Sequence, residues 1–157
     1  MGNNTADTQW PLATVVSEDK KELLDRYFSL LDINEPTSGE KIAQLYTEDG
    51  WLLGPAGLVK GREAIKASRE HAWVVIKKRT HKLIRVYAFD TEANDLLIIG
   101  NAVQGLANEK TVSGEWVARI CFDKSSAGDV QLKSHQVWAV PMTQRGLEAL
   151  QIYKDRH

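Results

Sequence analysis

The chain has 157 residues, 43% of them hydrophobic, and 20 basic against 21 acidic side chains, for a formal net charge of -1. That length suits one compact domain burying roughly 70% of its unfolded surface, and the balanced charge offers no basic footprint for a nucleic acid or an anionic membrane. The lone cysteine, Cys121, excludes an internal disulfide, and no run of 18 apolar residues occurs, so a cytoplasmic protein without a membrane partner is expected.

Residues 1–16 are polar or irregular, with Pro11 against an early helix, and read as a flexible N-terminal arm or a strap over the domain. From Ser17 to Asp32 the apolar residues Leu23, Leu24, Tyr27, Phe28, Leu30 and Leu31 recur at helical spacing, with Glu18 and Asp19 in the first turn, which predicts a first helix. Thr37 and Glu40 have the spacing of a capping box, and Ile42, Ala43, Leu45 and Tyr46 supply the buried stripe of a short second helix ending near Asp49-Gly50. WLLGPAGLVKG is rich in Gly and Pro and reads as two short extended pieces around a Pro55-Ala56-Gly57 turn. A third helix is expected from Arg62 to Ile76, burying Ile65, Ala72, Trp73 and Ile76.

After Lys78 the pattern turns to long extended runs: Arg79 to Phe89, Asp95 to Ala107, Thr111 to Phe122 and Val130 to Val140, joined by short polar segments suited to antiparallel hairpins. In the third run Trp116, Ala118, Ile120 and Phe122 alternate with Glu115 and Arg119, giving one apolar face. Helices first and a meander afterwards predict an α+β domain over 17–141, with its helices packed on one side of a curved antiparallel sheet. Residues 142–157 form a C-terminal tail with room for a turn or two of helix.

The strings RYFSLLD, LYTEDGWLLGP, KGREAI, RTHKLIRVYAF, SGEWVARICF and LKSHQVWAV, in that order between Ser17 and Val140, resemble a SnoaL-like member of the nuclear transport factor 2 superfamily. The resemblance implies a cone enclosing a pocket, dimerisation through the outer sheet face, and a hydrophobic small-molecule ligand. The superfamily spans cyclases, dehydratases, isomerases, epoxide hydrolases and non-catalytic binding proteins, so fold alone does not select an activity. Similarity is nearest to the dehydratase, cyclase and isomerase branch, whose catalytic set matches Tyr27, Asp32 and His81: a phenol to hold a carbonyl, a carboxylate to orient an imidazole, and the imidazole to move a proton. That set implies a cofactor-independent lyase or isomerase acting on an oxygenated polyketide or terpenoid intermediate. Trp51, Trp73, Asn101, Glu115, Trp116, Arg119 and His135 are the candidates to line its pocket.

Two departures narrow the resemblance. Gly54 stands before Pro55 where ketosteroid isomerase carries its catalytic Asp, and the strands offer only Arg85, Glu115 and Arg119 toward the Asp-Arg-Asp set of an epoxide hydrolase. Bland alternatives also stand for each residue: a core aromatic for Tyr27, a turn-forming carboxylate for Asp32, a solvent-facing strand residue for His81 and a partly buried strand residue for His135. The four histidines lie far apart with no HxH or CxxC spacing, which argues against a metal site.

Overall fold

Helix α1 (Glu18–Leu31) forms where the helical stripe predicts it and buries Leu23, Leu24, Tyr27, Phe28 and Leu31. These coordinates are a computed structural model, which describes residue 2 and residues 4–139. The expected tail, 142–157, and the strand end at Val140 lie outside the described residues.

Helix α2 (Ser38–Gln44) is shorter than expected. It stops at Leu45 because that carbonyl accepts the Leu132 amide, 2.8 Å away, and Tyr46 then opens a strand. Thr37 makes no side-chain cap, and Glu40 instead pairs with Lys66. The two short extended pieces form a hairpin, β1 (Tyr46–Gly54) and β2 (Gly57–Lys60), whose turn requires the positive φ of Gly57, +107°. Helix α3 covers only Arg62–Ala67. Turns and bends follow from Ser68 to Val75, the β-branched run Val74-Val75-Ile76 leads into a strand at Ile76, and only Ile65 of the expected stripe is buried.

The meander is made of β3 (Ile76–Ala88), β4 (Asp95–Leu106), β5 (Thr111–Lys124) and β6 (Val130–Ala139). The six-stranded sheet has the order β2-β1-β6-β5-β4-β3, antiparallel throughout except where β1 runs parallel to β6. Register breaks in β1, β3 and the β5–β6 pair bend the ribbon so that it curves around α1. The result is the α+β arrangement expected from the sequence, with helices packed on one side of a curved, largely antiparallel sheet.

Register decides which side chains face the helices. Gly100 lies opposite Trp116 and Leu83, Ile98 opposite Ala118 and Val86, and Leu96 opposite Ile120, which in turn faces His135. This concave face is buried, whereas Leu97, Val103, Arg119 and Trp138 occupy the convex face and are exposed. Gly100 permits the floor of the cone: a Cβ there would sit 2.1 Å from Trp116 Cζ2, so the indole lies flat across the neighbouring strand and stacks on Phe28 of α1 (centroids 5.2 Å apart, planes at 18°).

Between Asn4 and Gln9 the N-terminal segment is hydrogen-bonded to the domain, while Leu12 and Val15 beyond it are exposed. Its backbone is stitched to the outermost strand through Leu83 N–H to Asn4 C=O (3.0 Å), Gln9 N–H to Ile84 C=O (2.9 Å) and Val86 N–H to Gln9 C=O (3.0 Å). Because β3 is a sheet edge, the strap satisfies amides that would otherwise be open to pairing.

Replacing Gly100 with Ala should force the Trp116 indole to shift and lower unfolding free energy by about 1–3 kcal/mol. A urea midpoint and near-UV circular dichroism unchanged from wild type would show that the indole does not lie across this glycine.

Candidate active site

Asp32 immediately follows the last turn of α1 as its C-cap, and its carboxylate is surrounded by donors. Oδ1 lies 2.5 Å from His81 Nδ1; Oδ2 accepts the His81 backbone N–H at 2.8 Å and Asn4 Nδ2 at 3.0 Å. Arg79 Nε stands 3.9 Å from Oδ1 and donates to the Leu31 carbonyl that the helix end leaves unpaired. Since backbone amide and carboxamide donors hold Asp32 in its acceptor-only form, His81 donates from Nδ1, and its Nε2 carries the lone pair. Among the described residues Nε2 has no hydrogen-bond partner.

His81 stands between aromatic walls, with ring centroids 5.5 Å from Phe28 and 6.0 Å from Trp116. Its side chain is only 15% exposed. An imidazole with a fixed tautomer in such a setting is a competent general base.

A second polar group lies under α1 on the same concave face. The Tyr27 hydroxyl is 2.7 Å from the Tyr46 hydroxyl and 2.7 Å from His135 Nδ1. All three side chains are deeply buried. Burial pushes the Tyr27 phenol up to about 12 and holds Tyr46 well above the ordinary phenol value, so both stay protonated donors. Burial, and then the nearby His81, drive His135 down to about 3, so it is neutral at physiological pH. Its Nε2 is buried without a partner among the described residues, as is Trp116 Nε1.

Tyr27 and Asp32 are thus at the cone, but no hydrogen bond joins Tyr27 to His81 among the described residues; Phe28 lies between them, in contact with both rings. His135 and Trp116 face inward. Five other candidates do not join them. Asn101, Glu115 and Arg119 alternate with inward residues and lie on the convex face, Arg119 in a bidentate pair with Asp95 at 2.6 and 2.9 Å. Trp51 is in register with Ser134, one step from the Leu52–His135 pair, so it also faces away. Trp73 lies in the turns after α3, 4.6 Å over the Arg79 guanidinium, and lines a separate cleft of about 290 Å³ with Arg69 and Pro36.

Tyr46 and Asn4 were not singled out by the sequence. The apolar spacing places Tyr46 on a helix stripe, and Asn4 belongs to a polar stretch with no periodicity. Among the described residues no group of three or more His, Cys, Asp or Glu could hold a metal ion, and no helix is long and apolar enough to cross a membrane.

Raised acidity should destabilise the fold through His135. Its folded value lies below the unfolded 6.5, so the unfolded chain binds a proton that the native state refuses, and stability is lost as pH falls from about 6.5 toward about 3. The slope from this group is roughly 1.4 kcal/mol per pH unit at most. In urea unfolding at pH 7 and pH 5, His135→Gln should lose less stability on acidification than wild type; equal losses would show that His135 does not stay neutral in the fold.

No protein-family model matches the chain, and no curated protein is similar to it. Solved structures are. A putative scytalone dehydratase from Novosphingobium aromaticivorans superposes with a TM-score of 0.58 at 18% identity, covering 76% of this chain and 80% of that one. A type 2 hexachlorocyclohexane dehydrochlorinase gives 0.62 at 13% identity over 76% and 81%. An NTF2-like protein of unknown function from an Exiguobacterium species gives 0.60 at 12% identity over 76% and 99%. Identities this low speak to architecture, and with the strand order and helix placement above they establish that the chain has the nuclear transport factor 2-like fold.

Proposed function

We propose that the protein is a cofactor-independent lyase or isomerase that removes a proton beside a carbonyl of a hydrophobic, oxygenated small molecule. The single observation that carries this reading is the Asp32–His81 pair, tautomer fixed and enclosed by Phe28 and Trp116. His81 Nε2 takes the proton, and Asp32 steadies the imidazolium that forms. Departure of a β-hydroxyl, which takes the proton back from the imidazolium and leaves as water, completes a dehydration; return of the proton to another carbon completes an isomerisation; and attack of the enolate on a second carbonyl, whose oxygen takes the proton, completes a cyclisation. An intermediate of polyketide or terpenoid biosynthesis has the required apolar frame and carbonyl groups.

The enolate oxygen needs a donor. If His135 donates from Nδ1 to the Tyr27 oxygen, Tyr27 donates to Tyr46, and the Tyr46 hydroxyl proton is left to stabilise developing charge. This polarity leaves a bare lone pair on buried His135 Nε2, which costs less than an orphaned N–H. Tyr46, rather than Tyr27, is then the phenol that meets the substrate. The convex face, with Tyr87, Phe89, Leu97 and Trp138 exposed, supports pairing of two copies through the sheet.

A second reading has its own support. Trp116 and Phe28 stack closely and Tyr27 is fully buried, as in a cone that retains a ligand or anchors a partner without chemistry. The two readings separate on hydrophobic β-hydroxy ketones incubated in deuterium oxide. Catalysis predicts deuterium at the carbon beside the carbonyl, or the unsaturated product, with rate losses of about 10²–10⁴ for His81→Ala and about 10² for Tyr46→Phe. Ligand retained by wild type with no exchange and no product would establish the binding module; turnover unaffected by His81→Ala would end the proposed mechanism.

A further inference from the structure

The N-terminal strap carries a side chain of the same hydrogen-bonded group. Asn4 is 6% exposed although it lies in a polar stretch near the chain start. Its Nδ2 donates to Asp32 Oδ2 at 3.0 Å and to the His81 carbonyl at 2.9 Å, while its Oδ1 accepts Ser29 Oγ–H at 2.7 Å. The orientation of the amide follows from chemistry: a carboxylate and a carbonyl can only accept, so the NH₂ must face them. All the amide hydrogens are therefore committed, one to each member of the Asp32–His81 pair.

Neighbouring bonds hold Asn4 in place. Asp25 Oδ1 accepts the Asn4 and Thr5 backbone N–H groups, each at 3.2 Å, and the Thr5 hydroxyl at 2.9 Å, and Leu83 N–H donates to the Asn4 carbonyl. The strap is thus clamped to α1 on one side and to β3 on the other. Of the four donors around Asp32, namely His81 Nδ1, His81 N, Asn4 Nδ2 and the more distant Arg79, Asn4 is the one supplied by a segment outside the helix–sheet framework. Without it Oδ2 keeps only one close donor, and the carboxylate is free to rotate away from Nδ1.

We infer that Asn4 is a positioning residue for the Asp32–His81 pair, so that the N-terminal strap completes the proton-transfer site. This rests on the proposed role of His81, but its test does not need a substrate. The Nδ1 proton of His81 gives a downfield proton resonance, identified by its disappearance in His81→Gln. Asn4→Ala should broaden that resonance beyond detection or raise its exchange rate at least tenfold. Thr8→Val, which removes the strap bond from Thr8 Oγ1 to the Leu83 carbonyl, should leave it unchanged. Should Asn4→Ala fail to fold, Asn4→Leu retains the volume without the donors and carries the same expectation. A sharp, slowly exchanging His81 resonance in either folded Asn4 variant, or equal loss in Thr8→Val, overturns the assignment. Failure of the catalytic reading is seen elsewhere, as turnover indifferent to His81→Ala.

Discussion

A carboxylate at the C-terminal end of a helix meets the negative end of the helix dipole, and α1 has no basic residue in its last turn to offset it. Asp32 is tolerated there because it is surrounded: two donors come from His81, one from Asn4, and Arg79 both approaches the carboxylate and covers the Leu31 carbonyl. The carboxylate thereby joins helix, edge strand and strap at one point. A residue that is locally unfavourable and compensated only by tertiary partners is what a site built for chemistry is expected to contain.

The rest of the cone serves that point. Gly100 lets Trp116 cross its neighbouring strand, Trp116 supports Phe28, and Phe28 separates the imidazole from the phenol pair. The Tyr46–Tyr27–His135 chain connects β1, α1 and β6 across the same concave face. Two polar groups, one basic and one hydrogen-bond donating, thus flank a stacked aromatic wall. The fold itself hosts varied activities, so the reading rests on these side chains.

Much of this architecture was legible in the sequence, because α1 and the four long strands carry strong 3.6- and 2-residue patterns. Periodicity failed where two signals competed. Ile65, Ala72, Trp73 and Ile76 have helical spacing, but Val74-Val75-Ile76 prefers an extended chain, and Tyr46 continues the α2 stripe while pairing with Leu132 as a strand residue. Alternation alone sets Glu115 and Arg119 on the face opposite Trp116, but which of the two faces turns toward the helices depends on the register with neighbouring strands, and it is Trp116 that turns inward. Asn4 gave no signal at all. Its side-chain partners lie 25 to 77 positions away along the chain, and a polar residue in an irregular segment looks the same whether solvated or buried.

The account depends on which ring nitrogen of His81 bears the proton. Nitrogen-15 chemical shifts of the His81 ring in the unmodified protein, at a pH where the imidazole is neutral, measure this directly. The geometry predicts protonated Nδ1 and a bare, pyridine-like Nε2. A ring protonated at Nε2, with Nδ1 bare, would mean that Asp32 does not accept from this imidazole and that His81 has no lone pair to offer a substrate.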